Sequence, residues 1–118
     1  MIPSLLITVA ILSPALAAPF AFGRRQAACP PSHLIIARGS LEPPGPGSLL
    51  SLANKIVASN PGTTMESITY PATIDNYDTS SANGTIAVEE QLTAFVQKCP
   101  NSKVVMMGYS QGAQIVGG

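Results

Sequence analysis

Hydrophobic and polar positions along this chain change rhythm several times. His33-Leu-Ile-Ile-Ala37 is a short β-type run, followed by a segment dense in glycine and proline from Arg38 to Gly47. After Ser48, apolar residues recur at Leu49, Leu52, Ala53 and Ile56, the three- and four-residue spacing of one helix face. Ser59-Asn-Pro-Gly62 stops that helix. Thr63 to Tyr70 is rich in β-forming residues and predicts a second strand. Pro71 to Asn83 carries Asp, Asn, Ser and Thr without periodicity and reads as a surface loop. A second helix places Val88, Leu92, Phe95, Val96 and Cys99 on one face, and Pro100-Asn-Ser102 turns the chain into a third strand, Lys103 to Met107. Gly108-Tyr-Ser-Gln-Gly112 then leads into Ala-Gln-Ile-Val, which opens another helix. The order β-α-β-α-β-turn-α predicts one α/β unit on a parallel sheet with right-handed crossovers.

The first residues stand apart from this pattern. Nothing is charged before Arg24, and Leu5 to Leu12 is an apolar run broken only by Thr8. Ala15-Leu-Ala17 supplies the small-x-small pattern of a signal-peptidase site, although no Lys or Arg precedes the run. The run is too short to span a bilayer, so residues 1–17 are expected to be a cleaved secretory signal. Arg24-Arg25 is a dibasic pair of the kind that processing proteases cut; a cut there would make 18–25 a short propeptide and Gln26 the mature start, and without it the chain would start at Ala18. An extracellular protein with no membrane anchor in its mature form is the expectation.

Secretion sets the redox context for Cys29 and Cys99, each four residues before a strand-like run. If those strands are parallel neighbours, both cysteines lie at the same edge of the sheet, and a disulfide is expected. Asn83-Gly-Thr85 is the sole N-x-[ST] sequon, expected on an exposed turn.

Charge excludes several classes. Charged residues make up 10% of the chain, with six basic and six acidic groups and a net charge of zero. No basic patch could neutralise a row of phosphates, so nucleic acid is not an expected partner. One histidine and two cysteines leave no metal cluster, and no cofactor is expected.

Chemistry concentrates in Gly108-Tyr109-Ser110-Gln111-Gly112, which matches G-x-S-x-G. That pattern needs a strand before it and a helix after it, because a strained turn must lift the serine hydroxyl above the sheet. Both contexts are predicted here.

Cys29-Pro30, Ala37-Arg38-Gly39-Ser40, Tyr70-Pro71-Ala72 and Cys99-Pro100, eleven residues before Ser110, together with the G-Y-S-Q-G run, resemble the cutinase family of serine esterases. The loops look most similar to its acetylxylan-esterase side, carbohydrate esterase family five. The resemblance covers Cys29 to the last residue. It implies a three-layer, α/β-hydrolase-like (flavodoxin-like) parallel sheet with flanking helices, here carried as far as the nucleophile turn. It further implies Ser110 as nucleophile and the backbone N–H of Gln111 as one oxyanion donor. Ser40 would be the second, through its N–H and its hydroxyl, and Cys29–Cys99 would be the family's first disulfide.

In that family the acid and base follow the nucleophile in the order Ser, Asp, His. The sequence runs eight residues past Ser110 and holds neither. His33 lies four residues before the end of its strand, about 13 Å below the level of the turn, and reads as a structural residue. Asp75 and Asp78 fall in the expected loop. Two readings follow. One is the N-terminal part of a secreted serine carboxylic-ester hydrolase, monomeric at full length. Its substrate would be an ester of a plant cell-wall polysaccharide or polyester: acetylated xylan, cutin or small acyl esters. The other is a short, catalytically inactive secreted fragment that binds carbohydrate or protein. A sheet ending soon after strand three would leave an uncovered apolar edge, so the isolated chain is expected to aggregate or stay partly molten.

The leader has a direct check. Intact-mass spectrometry of the secreted product is expected to find a chain beginning at Ala18, or at Gln26 after dibasic processing. A membrane-bound product retaining Met1 contradicts it.

Overall fold

Four consecutive apolar residues, Leu34 to Ala37, are each fully withdrawn from solvent. A strand hides both of its faces only inside a sheet that is covered on both sides. The computed structural model describes residues 28–118 and places this run at the centre of a three-stranded sheet. β1 (Ser32–Ala37) lies between β2 (Thr64–Ser67) and β3 (Lys103–Gly108), both parallel to it. A 3-10 turn (Gly47–Leu49) and α1 (Leu50–Ser59) connect β1 to β2, and α2 (Tyr77–Lys98) connects β2 to β3. α3 (Gln111–Gly117) follows β3. The expected signal segment 1–17 and propeptide 18–25 lie outside the described residues.

Alternation along β1 divides the core into two layers. Leu34 and Ile36 meet Ala53 of α1 and Met107 of β3, with Leu49, Ile56, Val57 and Met65 packed around them. Ile35 and Ala37 point the other way, into a cluster with Ile68, Tyr70, Ala72, Val88 of α2 and Ile115 of α3. Each large β1 side chain contributes about 2 kcal/mol by burial. The layers are helix, sheet, helix, as expected from the alternation of elements. Among the described residues no helix is long and apolar enough to cross a membrane.

Cys29 and Cys99 are bonded, 70 residues apart in sequence. They precede β1 and β3, whose first residues pair as Ser32 with Lys103, so the bridge staples the entry edge of two neighbouring strands.

Three expectations need correction. β2 ends at Ser67 rather than Tyr70, because its partner β1 turns away after Ala37. Beyond one last bond from Ile68 N–H to the Ile36 carbonyl, side chains take over. Gln91 accepts the Thr69 N–H, and Arg38 donates to the Tyr70 carbonyl. The segment Pro71 to Asn83 is a loop only as far as Asn76, and its second half forms the first two turns of α2. Asp, Ser and Thr compete with the backbone in isolated peptides, but here packing overrides them: Ser80, Ser81 and Gly84 are buried. A Cβ on Gly84 would stand 2.8 Å from both Ile115 Cδ1 and Tyr70 Cδ2, so glycine lets α2 close onto α3. Asn83 is therefore exposed within a helix, not on a turn, and the Thr85 hydroxyl of its sequon donates to the Ser81 carbonyl. β3, apolar on both faces, is an edge strand among the described residues, the uncovered apolar edge expected of a sheet ending soon after strand three; Val105 and Met106 are 42% and 40% exposed.

A chain-entropy argument sizes the bridge. Replacing both cysteines by alanine is expected to lower unfolding stability by about 4 kcal/mol in a urea titration, through a more expanded unfolded state. A loss under about 1 kcal/mol contradicts that account.

Candidate active site

Parallel pairing carries Ala37 opposite Gly108, so the segments that leave β1 and β3 emerge side by side. In open α/β sheets, ligands bind beyond such strand ends. Ser110 is the exposed residue immediately before α3, held at φ 56° and ψ −118°. Few side chains tolerate positive φ, and such strain costs about 1–3 kcal/mol, so the surroundings must enforce it. They do so on both flanks. Tyr109 N–H bonds the Ala37 carbonyl (3.2 Å), while the Tyr109 carbonyl accepts from Gly112 N–H (2.9 Å). The Ser110 carbonyl accepts from Ala113 and Gln114. Gln111 N–H heads the helix, where no carbonyl of an earlier turn can take it.

Gly112 makes this turn possible. A Cβ there would overlap the Ala37 carbonyl oxygen and lie 2.6 Å from that of Arg38. The head of α3 thus rests directly on the β1 backbone.

The β1 exit loop is tied down by charged groups. Arg38 is buried; its Nε donates to the Glu42 carbonyl (2.7 Å) and its Nη2 to the Tyr70 carbonyl (2.8 Å). Tyr70 returns a bond from its hydroxyl to the Arg38 carbonyl (2.6 Å). The Glu42 carboxylate accepts Gly39 N–H (2.8 Å), Ser48 N–H (2.7 Å) and the Ser48 hydroxyl. These bonds, the Ser48 hydroxyl foremost, hold the Glu42 carboxyl below its ordinary range and keep it ionised. Between these anchors sits Ser40. Its neighbour Leu41 has φ 67° and bonds through N–H to the carbonyl of Ala72, itself at φ 52°. Three positive-φ residues other than glycine therefore belong to the segments around one spot.

Gln111 joins the two segments. It is 1% exposed, and its Nε2 donates to Ser40 Oγ (2.7 Å) and to the Thr73 carbonyl (3.0 Å). Its Oε1 accepts the Ser80 hydroxyl (2.7 Å). The three residues singled out from the sequence, Ser40, Ser110 and Gln111, are thus brought to one place. Leu41, Ile74 and Tyr109, on the same segments, stand 70%, 56% and 50% exposed.

His33 and the two aspartates are elsewhere. His33 pairs with Val104 at the opposite end of β1, its Nε2 donates to Glu66 (2.8 Å), and its Nδ1 lies 2.7 Å from the Thr64 hydroxyl. Its ring stacks on Phe95 at 3.9 Å. Both nitrogens are engaged, as befits a structural residue. Asp75 and Asp78 are exposed, the latter in the first turn of α2.

Sequence reasoning missed Arg38, Glu42, Ser80 and the carboxamide of Gln111. For Ser80 a signal existed: Ser80, Ser81 and Gly84 continue the buried face of α2 back from Val88 at helical spacing, in small residues rather than apolar ones.

Comparison with known proteins bears on the family and the fold. The family model described as Cutinase matches residues 28–118. Over 95 residues the chain is 40% identical to cutinase 11 of Verticillium dahliae, covering 75% of this chain and 32% of that one. Over 95 residues it is 37% identical to acetylxylan esterase 2 of Talaromyces purpureogenus, covering 75% and 41%. The catalytic core domain of acetyl xylan esterase from Trichoderma reesei superposes with a TM-score of 0.72 at 38% identity, over 75% of this chain and 46% of that one. The chain therefore spans about a third to two-fifths of the curated relatives it matches.

The Gly112 contact has a measurable consequence. Alanine gains about 1 kcal/mol of helix propensity, but overlap with fixed backbone carbonyls costs about 3 kcal/mol. Gly112→Ala is expected to lower unfolding stability by about 2 kcal/mol net in denaturant titration, and a stabilised variant contradicts the packing argument.

Proposed function

This chain belongs to the cutinase family, and on that premise we propose that it is the N-terminal part of a secreted serine carboxylic-ester hydrolase with Ser110 as nucleophile. The observation that carries the reading is the Ser110 turn: a hydroxyl-bearing residue at positive φ between β3 and α3, with Ser40 tied beside it through Gln111. The proposed division of the chain is a signal peptide over 1–17, a propeptide over 18–25 and the hydrolase part from 26.

The proposed reaction is acyl transfer. Ser110 Oγ attacks the ester carbonyl carbon while a general base takes the hydroxyl proton. The carbonyl oxygen becomes an oxyanion, held by the N–H groups of Gln111 and Ser40, each worth about 3 kcal/mol of barrier. The intermediate expels the alcohol, which takes the proton back from the base, and leaves an acyl-enzyme. Water then attacks the acyl carbon and gives its proton to the same base; the second intermediate collapses, releasing the acid and breaking the bond to Ser110 Oγ, which takes that proton back from the base. Residues 28–118 put no base at Ser110, since His33 is held at the far end of β1. The base and its carboxylate partner are proposed to come from chain beyond this sequence, in the family's order.

A neutral ester suits the segments around Ser110. Their exposed side chains include Leu41, Ile74 and Tyr109, which are apolar or aromatic. The relatives' names point to two substrate types, cutin and acetylated xylan, and the proposed substrate is a cell-wall ester of one of them. The complete enzyme is proposed to act extracellularly as a monomer, without a cofactor.

Active-site labelling tests the reading. In the complete protein a fluorophosphonate is expected to label Ser110 stoichiometrically, and Ser110→Ala to abolish labelling. The 118-residue chain is expected to label weakly or not at all, for want of a base. Undiminished labelling of Ser110→Ala contradicts the assignment of the nucleophile, and stoichiometric labelling of the short chain contradicts the account of the base.

A further inference from the structure

Hydrogens in the buried cluster behind Ser40 can be assigned one by one. Thr73 N–H lies 3.0 Å from Ser80 Oγ, and a backbone N–H can only donate. Ser80 is 1% exposed, and its single hydroxyl hydrogen goes to the remaining neighbour, Gln111 Oε1, at 2.7 Å. That sets which way round the Gln111 carboxamide sits. The opposite orientation would turn its oxygen toward the Thr73 carbonyl and its NH2 toward a hydroxyl that already accepts a hydrogen bond. With the orientation set, both Nε2 hydrogens are used, one on the Thr73 carbonyl and one on Ser40 Oγ at 2.7 Å. Ser40 Oγ is thereby an acceptor toward Gln111 and keeps its own hydrogen free.

We propose that Ser80 is a positioning residue for the oxyanion end of this site: through the Gln111 carboxamide it orients the Ser40 hydroxyl so that its hydrogen is available to the developing oxyanion. The proposal rests on the esterase reading, with Ser40 as an oxyanion donor. Ser80 itself touches no reacting atom. Its influence passes through two hydrogen bonds, the first of them buried and the second half-buried, and a buried polar atom deprived of its partner reorients to find another. Without the Ser80 hydroxyl, Gln111 Oε1 loses its donor, and the carboxamide is free to rotate away from Ser40.

Ser81 provides a matched control. It lies in the same turn of α2, is also buried, and its hydroxyl has no hydrogen-bond partner among the described residues. Removing it deletes a buried hydroxyl without touching the relay.

The test uses the full-length secreted protein and p-nitrophenyl acetate. Ser80→Ala is expected to lower kcat about tenfold with KM within about twofold, a transition-state effect smaller than loss of a whole oxyanion donor. Ser81→Ala is expected to keep the parental kcat. In the double-mutant cycle, Ser80→Ala with Ser40→Ala is expected to be no slower than Ser40→Ala alone, because the relay acts only through that hydroxyl. Losses that multiply, or a Ser80→Ala kcat within twofold of the parent, overturn the relay. If Ser80→Ala does not fold, Ser80→Cys, isosteric and a weak donor, is judged by the same two criteria. A parent protein that hydrolyses no ester overturns the esterase reading itself, whereas an active parent with a full-rate Ser80 variant overturns the relay alone.

Discussion

The register of β1 against β3 decides where everything else falls. Ala37 pairs with Gly108, so the two strands end level and their exit segments leave from one edge. A slip of one residue would send Leu34 and Ile36 to the face now occupied by Ile35 and Ala37, and both core layers would be lost. It would also move the Ser110 turn by about 3.3 Å relative to the β1 exit. Burial of both faces of β1 therefore fixes the site's geometry indirectly: the core permits one register, and that register brings Ser40 and Gln111 within hydrogen-bond distance. The disulfide acts at the opposite edge of the same pair, ahead of Ser32 and Lys103.

Strain at the strand ends is the second consequence. Leu41, Ala72 and Ser110 all hold positive φ in segments that converge past the sheet. Each such residue costs about 1–3 kcal/mol, an amount that loose loops would relax. The segments here are not loose. The Arg38 guanidinium bridges two segments by bonding the Glu42 and Tyr70 carbonyls, and the Glu42 carboxylate closes Gly39 onto Ser48. Hydrogen bonds to charged groups are worth about 1.5–3 kcal/mol each, the same order as the strain they oppose. Rigidity at this end of the sheet comes from polar bonds to Arg38 and Glu42, and at its centre from apolar packing.

Elements carried by periodicity or by one diagnostic motif were legible in the sequence. β1, α1, β3, the turn at Ser110 and the pairing of Cys29 with Cys99 fall where the pattern puts them. The first two turns of α2 were not legible, because Tyr77 to Asn83 is made of residues whose side chains favour caps and turns. What holds that stretch helical is non-local: Ser80 reaches Gln111, Tyr77 reaches Gln114, and Gly84 admits Ile115. The length of β2 was misread for a related reason. Its β-forming residues continue to Tyr70, but a strand lasts only as long as its partner does. At the site, the motif pointed to backbone donors. The carboxamide of Gln111 and the Arg38 and Glu42 anchors follow no short-range pattern, since each pairs segments brought together only by folding.

On the esterase reading, the described residues hold the part of the site that answers charge, and the part that generates it lies elsewhere. Fixed donors act on an oxyanion once the serine oxygen has bonded to the carbonyl carbon, and they need no rearrangement at that moment. Producing that charge needs a proton acceptor near Ser110, because a hydroxyl keeps its proton at neutral pH. The two tasks make opposite demands. A donor must be immobile, and here a strand register, a strained turn and a fully occupied carboxamide make it so. A base must accept a proton and then surrender it to the leaving alcohol, so its nitrogen has to change partners within each half-reaction. His33 has the right ring and the wrong surroundings: Glu66 and Thr64 occupy its nitrogens, and Phe95 covers its face. An imidazole held that firmly serves the sheet, and a proton relay at Ser110 requires one that is held on one nitrogen only.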